Sequence, residues 1–368
     1  MNDTPVPKFM TGVQLTGHGG LDKLQYRQDL AVPQPGAGEV LIRVGAAGIN
    51  NTDINTRIGW YSKGVSGATD QGAAQGFDTV RDDDGGWAGV PLEFPRIQGA
   101  DCCGEIVAVG SQVDAARVGQ RVLVRTMQSA PDTQEDYQCV TYGSEFDGGF
   151  AQYAIARSSE AFAVNSDLGD IELASFPCAY STAEGMLERA QLQAGERVLI
   201  TGASGGVGSA AVQLARRRGA YVIAVCGAQK RDDVLALGAD EVIARGDNLV
   251  TALGADSVDV VVDLVAGPQW PQLCDVLRRG GRYAVSGAIA GPLVELDVRT
   301  LYLKDLTFLG CTWQPKKVFE NLIGYIERGE IRPLVAKSYP LEQIVAAQEA
   351  FMAKTFTGKL VLVPPAVD

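Results

Sequence analysis

The sequence predicts an α/β fold in which a doubly wound parallel sheet fills much of the second half of the chain, behind a first part built mostly of short strands. Three observations carry that expectation. Residues 197–208 read Arg-Val-Leu-Ile-Thr-Gly-Ala-Ser-Gly-Gly-Val-Gly, a short apolar run that closes on a turn with four glycines. The helix-patterned segment Ser209-Ala-Ala-Val-Gln-Leu-Ala-Arg follows at once. From about residue 166 onward, buried-strand runs alternate with helical patterns, the βαβ arrangement that sets strands parallel.

Taken in order, residues 11–50 alternate short strands and turns, with a strand at Glu39-Val-Leu-Ile-Arg-Val-Gly after the turn Pro33-Gln-Pro-Gly-Ala-Gly. Residues 62–92 are rich in Gly, Asp, Ala and Ser, including Asp82-Asp-Asp-Gly-Gly, and read as a long loop or lid. A surface insertion without a role is the plain alternative. Strands return over 104–126, and a second loop spans 127–149. The parallel strands are expected at Val198–Thr201, Tyr221–Cys226, Glu241–Ile243, Val258–Leu264 and Gly281–Ser286. Helices are expected at Lys316–Glu330 and Leu341–Lys354, and Gly358-Lys-Leu-Val-Leu-Val closes the chain as a strand.

The bulk composition narrows the function. The 368 residues suffice for two domains. An apolar content of 46% with 21% charged residues predicts packed cores rather than disorder. A net charge of −12 argues against nucleic acid or an anionic membrane as partner. It leaves room for a phosphorylated cofactor in a locally positive pocket. No apolar run approaches the roughly 18–20 residues of a membrane span, and MNDTPVPKFM has no signal-peptide pattern. The seven cysteines show no zinc-module spacing. Cys102-Cys103 lie in a strand-like run and read as reduced core residues, which points to a cytoplasmic location.

The glycine turn matches Ala203-x-Gly205-x-x-Gly208 rather than the strict dinucleotide fingerprint, but its context agrees: a strand before, a helix after, and a second strand about 20 residues on. Such a turn points backbone N–H groups at a phosphate, with the helix dipole behind them. The expected contacts are Ser204, Gly205, Gly206 and Val207. A turn that serves packing alone needs fewer than four glycines. The next strand ends Ala224-Val-Cys226-Gly-Ala-Gln-Lys230-Arg231, with no acid to bind ribose hydroxyls or repel a 2′-phosphate. Gly227 and Lys230, with Arg245 as a second cation, therefore predict NADP(H). A solvated helix start is the alternative for Lys230 and Arg231. Later strand ends supply Val265, Ser286, Gly287, Gly310 and Thr312, where ligands bind in such sheets.

Thr201-Gly202-x-x-x-Gly206-x-Gly208 also fits the short-chain dehydrogenases, but no tyrosine has the lysine four residues later that their chemistry requires, and the motif lies past mid-chain. The chain instead resembles the medium-chain dehydrogenase/reductase superfamily along nearly its whole length. The segments that carry the resemblance are Gly36-Ala-Gly-Glu-Val-Leu-Ile-Arg-Val, Ala46-Ala-Gly-Ile-Asn-Asn-Thr-Asp53, Pro95-Arg-Ile-Gln-Gly-Ala-Asp-Cys-Cys-Gly104, Gly148-Gly-Phe-Ala-Gln-Tyr, the glycine turn and Gly358-Lys-Leu-Val-Leu. The resemblance implies a GroES-like catalytic domain, 1–163 and 312–368, around a Rossmann NADP-binding domain, 164–311, with the cofactor cleft between them.

Where zinc enzymes of that superfamily place their catalytic ligands, this chain has Asn50, Ala100 and Cys178, and one thiolate does not make a site. The region of the structural zinc lobe offers only Cys139. No metal is therefore expected, and the chain looks like the zinc-independent quinone oxidoreductases and enoyl reductases. Ile49-Asn-x-x-Asp53-x-Asn-x-x-x-Gly-x-Tyr61 resembles the segment that carries the active-site tyrosine of mitochondrial-type enoyl reductases. Asn51 departs from that branch, which often has Pro or a bulky residue there, and the two long loops depart from compact quinone reductases.

Charge building on a substrate oxygen then needs a hydrogen-bond donor. Tyr61 is the first candidate and Asn50 the second, with Asn50 also a holder of the nicotinamide ribose. The plain alternatives are a lid aromatic for Tyr61 and a loop amide for Asn50. Asp53 reads as a structural partner. The resemblance places Thr182 beside the nicotinamide and His18, the sole histidine, in an outer turn away from the cleft. It also implies a homodimer. The expected activity is NADPH-dependent hydride transfer to a small-molecule quinone or α,β-unsaturated carbonyl. An alcohol dehydrogenase-like enzyme and a non-catalytic NADPH-binding protein are the alternatives.

Overall fold

A computed structural model describes residues 6–81, 83–131 and 137–367. Asp82, in the acidic run of the first long loop, and residues 132–136, in the second, lie outside the described residues.

Arg197–Ile200 is the middle of a parallel sheet. It pairs with Tyr221–Cys226 on one side and Val258–Asp263 on the other. Glu241–Ala244 extends one edge; Leu277–Val285 and then Thr307–Gly310 extend the other. The six strands thus follow the doubly wound order, with a switch point beside the glycine turn. Val198, Leu199, Ile200, Val260, Val261 and Val262 are all fully buried, as a parallel sheet covered on both faces requires. The edge strand Thr307–Gly310 lies outside the expected set. Its residues are exposed or half-buried, so it carries no apolar run to announce it.

In the first part, Glu39–Gly48 pairs antiparallel with Cys103–Val109 and Tyr153–Arg157. The closing strand Lys359–Val363 pairs with its far end, so the chain terminus returns to the sheet of the first part. The helix Lys316–Glu327 buries Phe319, Leu322 and Ile326 in one cluster with Tyr180 and Met186 of the helix Pro177–Arg189 and Val212 of the helix Gly206–Arg217. Cys102 and Cys103 are fully buried free thiols.

Both long loops hold structure. The second contains the two-stranded pair Met127–Ser129 and Cys139–Thr141. In the first, Asp84 accepts from Ser62 Oγ at 2.6 Å and Lys63 N at 2.8 Å. Beneath it the buried Arg57 guanidinium donates to Gly19 O, Ala73 O and Gln348 Oε1. The loop also crosses to the nucleotide half, where Thr69 N donates to Ile289 O at 3.1 Å. His18 sits at the loop's foot, its Nδ1 2.8 Å from Thr56 O and its ring edge-on to Phe94. Among the described residues no helix is long and apolar enough to cross a membrane.

The glycine turn is closed by contact as well as by conformation. Gly202 has φ +60, and a Cβ on Gly208 would stand 2.2 Å from Gly202 O. Overpacking of this kind costs about 1–3 kcal/mol. Gly208→Ala is expected to lower the thermal midpoint by several degrees and to weaken nicotinamide-cofactor binding. Gly38→Ala, at a position with open space around it, is expected to leave both unchanged in parallel thermal melts and cofactor titrations.

Candidate active site

Asn50 caps the helix Asn51–Ile58 in an extended conformation. Its N–H donates to Asp53 Oδ2 at 2.7 Å, and Ala100 N donates to Asp53 Oδ1 at 3.2 Å. Asp53 is thus a structural partner, its side chain returning to the cap as in a capping box. Burial lifts its carboxyl to about 7, against the lowering effect of the Asn50 N–H.

The Asn50 side chain faces a buried ion pair. Lys359 Nζ donates to Asn50 Oδ1 at 2.5 Å, Asp101 Oδ2 at 2.8 Å and Ile49 O at 2.9 Å. Asn50 Nδ2 donates to Asp101 Oδ2 at 2.8 Å and Gly48 O at 3.3 Å. Asp101 Oδ1 accepts Cys178 N at 2.6 Å. Lys359 is 3% exposed and Asp101 0%. Both amide hydrogens of Asn50 are therefore committed inside the protein. What remains is a lone pair on Oδ1, which suits a ribose hydroxyl donor and not a substrate oxyanion.

These residues do not fit a catalytic zinc. Ala100 has no ligating side chain. Cys178 is buried and is the one ligating side chain of the three, and one thiolate does not make a site. The Lys359 ammonium already sits on Asn50. Among the described residues no three His, Cys, Asp or Glu are grouped to hold a metal ion.

Tyr61 lies just past the same helix. Its phenol donates to Thr52 Oγ1 at 3.0 Å, and its ring meets Trp60 and Trp87 edge-on. Burial raises its pKa far above the ordinary tyrosine value, although Thr52 and Asn55 bond to the oxygen. The group stays protonated, with its one hydrogen directed at Thr52 Oγ1, a hydroxyl that can itself turn to donate.

The glycine turn fits a dinucleotide. The first helical N–H engaged is that of Ser209, bonded to Gly205 O, which leaves those of Gly206, Val207 and Gly208 for a phosphate. A Cβ on Gly206 would meet Lys359 Cδ at 2.8 Å, so the lysine stem passes beside the turn. Gly358 N donates to Ser204 O at 2.9 Å. Gly227 ends the second strand with no carboxylate on residues 226–229. Lys230 Nζ donates to Lys354 O and Phe356 O, both at 2.6 Å, and so keeps one hydrogen for a ligand.

Two further cations stand near Lys230. Arg245 is exposed, and its charge adds to burial in lowering Lys230. Lys354 lies with its ammonium 3.7 Å over the Phe351 ring. Packing of the ammonium on that ring, and then the Lys230 charge, lower its pKa, while the residue as a whole stays exposed.

The remaining predicted residues cluster at the strand ends. Asp263, fully buried, accepts Thr201 Oγ1 and Tyr283 Oη at 2.6 Å and Val265 N at 2.9 Å. It holds the Val265 loop in place. Ser286 N donates to Asp263 O, and Gly287 passes within 2.9 Å (from its Cβ position) of Leu264 O. Gly310 ends the edge strand, and Thr312 is exposed beyond it. Thr182 is 6% exposed, one helical turn from Cys178. Lys359, Asp101 and Asp263 are the residues that sequence reasoning missed. Their only signal was a charged type within an apolar run.

Two family descriptions match the chain: an alcohol dehydrogenase GroES-like domain over residues 36–166 and a zinc-binding dehydrogenase over 206–328. Human quinone oxidoreductase is 29% identical over 96% of this chain and 98% of its own length. The crystal structure of a candidate alcohol dehydrogenase from Sinorhizobium meliloti 1021 is 48% identical, with TM-score 0.86 over 98% of both chains. The 2-octenoyl-CoA carboxylase reductase CinF, solved with NADP and 2-octenoyl-CoA, is 25% identical, with TM-score 0.80 over 98% of this chain and 88% of its own.

Removing one member of a buried pair costs about 3–5 kcal/mol. Lys359→Met is expected to destabilise the fold by that order in denaturant titrations, and Lys359→Met/Asp101→Asn to recover part of the loss. Asp53 adds a pH signature. Its folded value is raised from 3.8 to about 7, so its contribution to stability is full below pH 3.8 and is lost as pH rises through about 7. The stability of wild type minus that of Asp53→Asn is expected to fall across that window and flatten above it.

Proposed function

Because the chain belongs to the medium-chain dehydrogenase/reductase superfamily, in its quinone oxidoreductase-like branch, we propose that it reduces a quinone or an α,β-unsaturated carbonyl with NADPH and without a metal. The comparisons place the chain among oxidoreductases of a family that binds nicotinamide cofactors. The observation that carries the finer reading is the Lys359 ammonium seated on Asn50 and Asp101, where zinc enzymes keep their ligands.

Bound along the strand ends, NADPH supplies a hydride. The chain's own residues do the rest. The first-turn N–H groups of Gly206 and Val207 hold the pyrophosphate. Lys230, Arg245 and Lys354, with no carboxylate at the end of the second strand, would hold the 2′-phosphate. Asn50 Oδ1, oriented by Lys359, would accept from the nicotinamide ribose. Tyr61, kept protonated by burial, would turn its one hydrogen from Thr52 Oγ1 to the oxygen on which charge develops. Trp60 and Trp87 set its ring and give the acceptor side an aromatic wall.

The name of the Sinorhizobium meliloti relative favours a second reading, alcohol dehydrogenase. That chemistry needs a Lewis acid in the zinc branch, and Ala100 and the committed Asn50 amide speak against it. Pairing into a homodimer has a surface to rest on: Val298, Tyr302 and Leu303 are 55–60% exposed beside the edge strand Thr307–Gly310.

Loss of NADPH absorbance over a panel of quinones, enones and enals is the direct assay. Turnover is expected with NADPH in preference to NADH. Loss of a single oxyanion donor costs about a hundredfold or more in kcat, and Tyr61→Phe is expected to show it. Arg245→Ala, free of the structural bonds that tie Lys230, is expected to weaken NADPH and leave NADH unchanged. Equal losses for both cofactors would remove the 2′-phosphate assignment, and NADPH binding without turnover of any acceptor would favour the non-catalytic alternative.

A further inference from the structure

The first long loop reaches the nucleotide half at one point. Its short helix Thr69–Gly72 begins at Thr69, which is 2% exposed. The first N–H groups of a helix find no partner inside it. That of Thr69 finds one across the cleft, Ile289 O at 3.1 Å. Among the described residues this is the loop's one hydrogen bond to that half.

The two ends of the bond are held firmly, each to its own side. Asn55 Oδ1 accepts the Thr69 hydroxyl at 3.1 Å, Arg57 donates to Ala73 O at 3.0 Å, and Trp60 Nε1 donates to Gly67 O at 2.9 Å. Asn55 and Arg57 belong to the helix Asn51–Ile58, and Trp60 follows it. A Cβ on Gly72 would stand 2.3 Å from Phe77 Cε2, so the segment is also closely packed. Residues 67–73 are thus a strap fixed to the catalytic half. On the far side, Ala290 N donates to Val265 O at 3.0 Å and Ser286 N to Asp263 O at 3.2 Å. A Cβ on Gly267 would stand 2.7 Å from Ala290 Cβ. Ile289 O therefore moves with the Val265 and Ser286 loops.

The opposite crossing is built differently. The closing tail accepts two bonds from Lys230, donates from Thr357 Oγ1 to Asp233 and from Gly358 N to Ser204 O. Several bonds hold that end and one holds the strap. When the halves separate, the Thr69–Ile289 bond is the part that gives way, and the tail acts as the hinge.

We propose that the Thr69–Ile289 bond is a latch that keeps the cleft closed beside the cofactor loops, and that bound cofactor leaves when it opens. The proposal rests on the reading that the cofactor lies along the strand ends at Val265 and Ser286. One net hydrogen bond is worth roughly two- to tenfold in an equilibrium, so the latch biases the cleft toward closure without locking it.

The bond can be removed cleanly. Proline is well accommodated at the first position of a helix, where no intrahelical N–H is lost. Ala68 already has φ −70 and ψ 155, the extended backbone that a residue before proline adopts. Thr69→Pro removes the latch N–H and keeps the helix. Thr69→Val also lacks the hydroxyl but keeps the N–H, so the difference between the two isolates the bond across the cleft. In stopped-flow displacement of bound NADPH, followed by its fluorescence, Thr69→Pro is expected to release cofactor about three- to tenfold faster than Thr69→Val, the scale of one hydrogen bond. Equal release rates overturn the proposal.

A second readout needs no cofactor. In hydrogen exchange of the free protein, the amides of 70–73 and of Ala290 and Gly291 are expected to exchange faster in Thr69→Pro than in Thr69→Val, through local opening. Those of Val198, Leu199 and Ile200 are expected to stay the same. Equal exchange at both ends of the latch overturns it. Should Thr69→Pro fail to fold, the wild-type Thr69 amide decides: protection that increases when NADPH binds supports the latch, and exchange at the rate of a free loop amide overturns it. If the wild-type chain binds no nicotinamide cofactor, the cofactor reading fails instead, and the exchange comparison alone decides whether the latch exists.

Discussion

Lys359 carries its charge from the closing strand into the middle of the molecule, and three separated segments are shaped to receive it. Gly48 makes room, since a Cβ there would meet Asp101 Oδ2 at 2.3 Å and Lys359 Cε at 3.1 Å. Gly206 makes room for the lysine stem on the nucleotide side. Asp101 supplies the counter-charge. A buried ion pair adds little net stability but is expensive to leave half-made. Its value here is positional: it fixes the Asn50 amide and, through Asp53, the cap of the helix that leads to Tyr61.

The same tail stitches the two sides of the cleft together. Between Lys354 and Lys359 it accepts two bonds from Lys230, reaches Asp233 through Thr357 Oγ1, donates to Ser204 O, and ends on Asn50 and Asp101. The first long loop makes the opposing crossing at Thr69 and Ile289. One connection holds the phosphate end of the cleft and the other the reacting end, so cofactor position and acceptor chemistry are set by different parts of the chain.

Much of this was legible in the sequence where physics is local. The apolar run Val198–Ile200, the glycines after it and the helix beyond encode a turn whose N–H groups face outward, and they do so within a dozen residues. Tyr221–Cys226 was readable to its ends because its apolar run lies between the turn glycines Gly219 and Gly227. Thr307–Gly310 was not, because an edge strand buries too little to need a pattern. The ion cluster was unreadable for another reason. Positions 50, 101 and 359 meet through antiparallel pairing of Glu39–Gly48 with Cys103–Val109 and with the closing strand Lys359–Val363. Asn50 was read as a donor from its residue type; the lysine and aspartate that use its amide hydrogens could not be inferred from its neighbours. Thr69 lies in a loop without periodicity, where no spacing rule points at Asn55 or Ile289.

The Lys359 ammonium lies on Asn50 and Asp101, at positions where zinc enzymes keep their ligands. The most direct measurement is elemental analysis of the purified, catalytically active chain, with turnover followed through chelator treatment. The account predicts metal far below one equivalent per chain and turnover unchanged by the chelator. Stoichiometric zinc, lost together with activity on chelation and restored with it, would contradict the account.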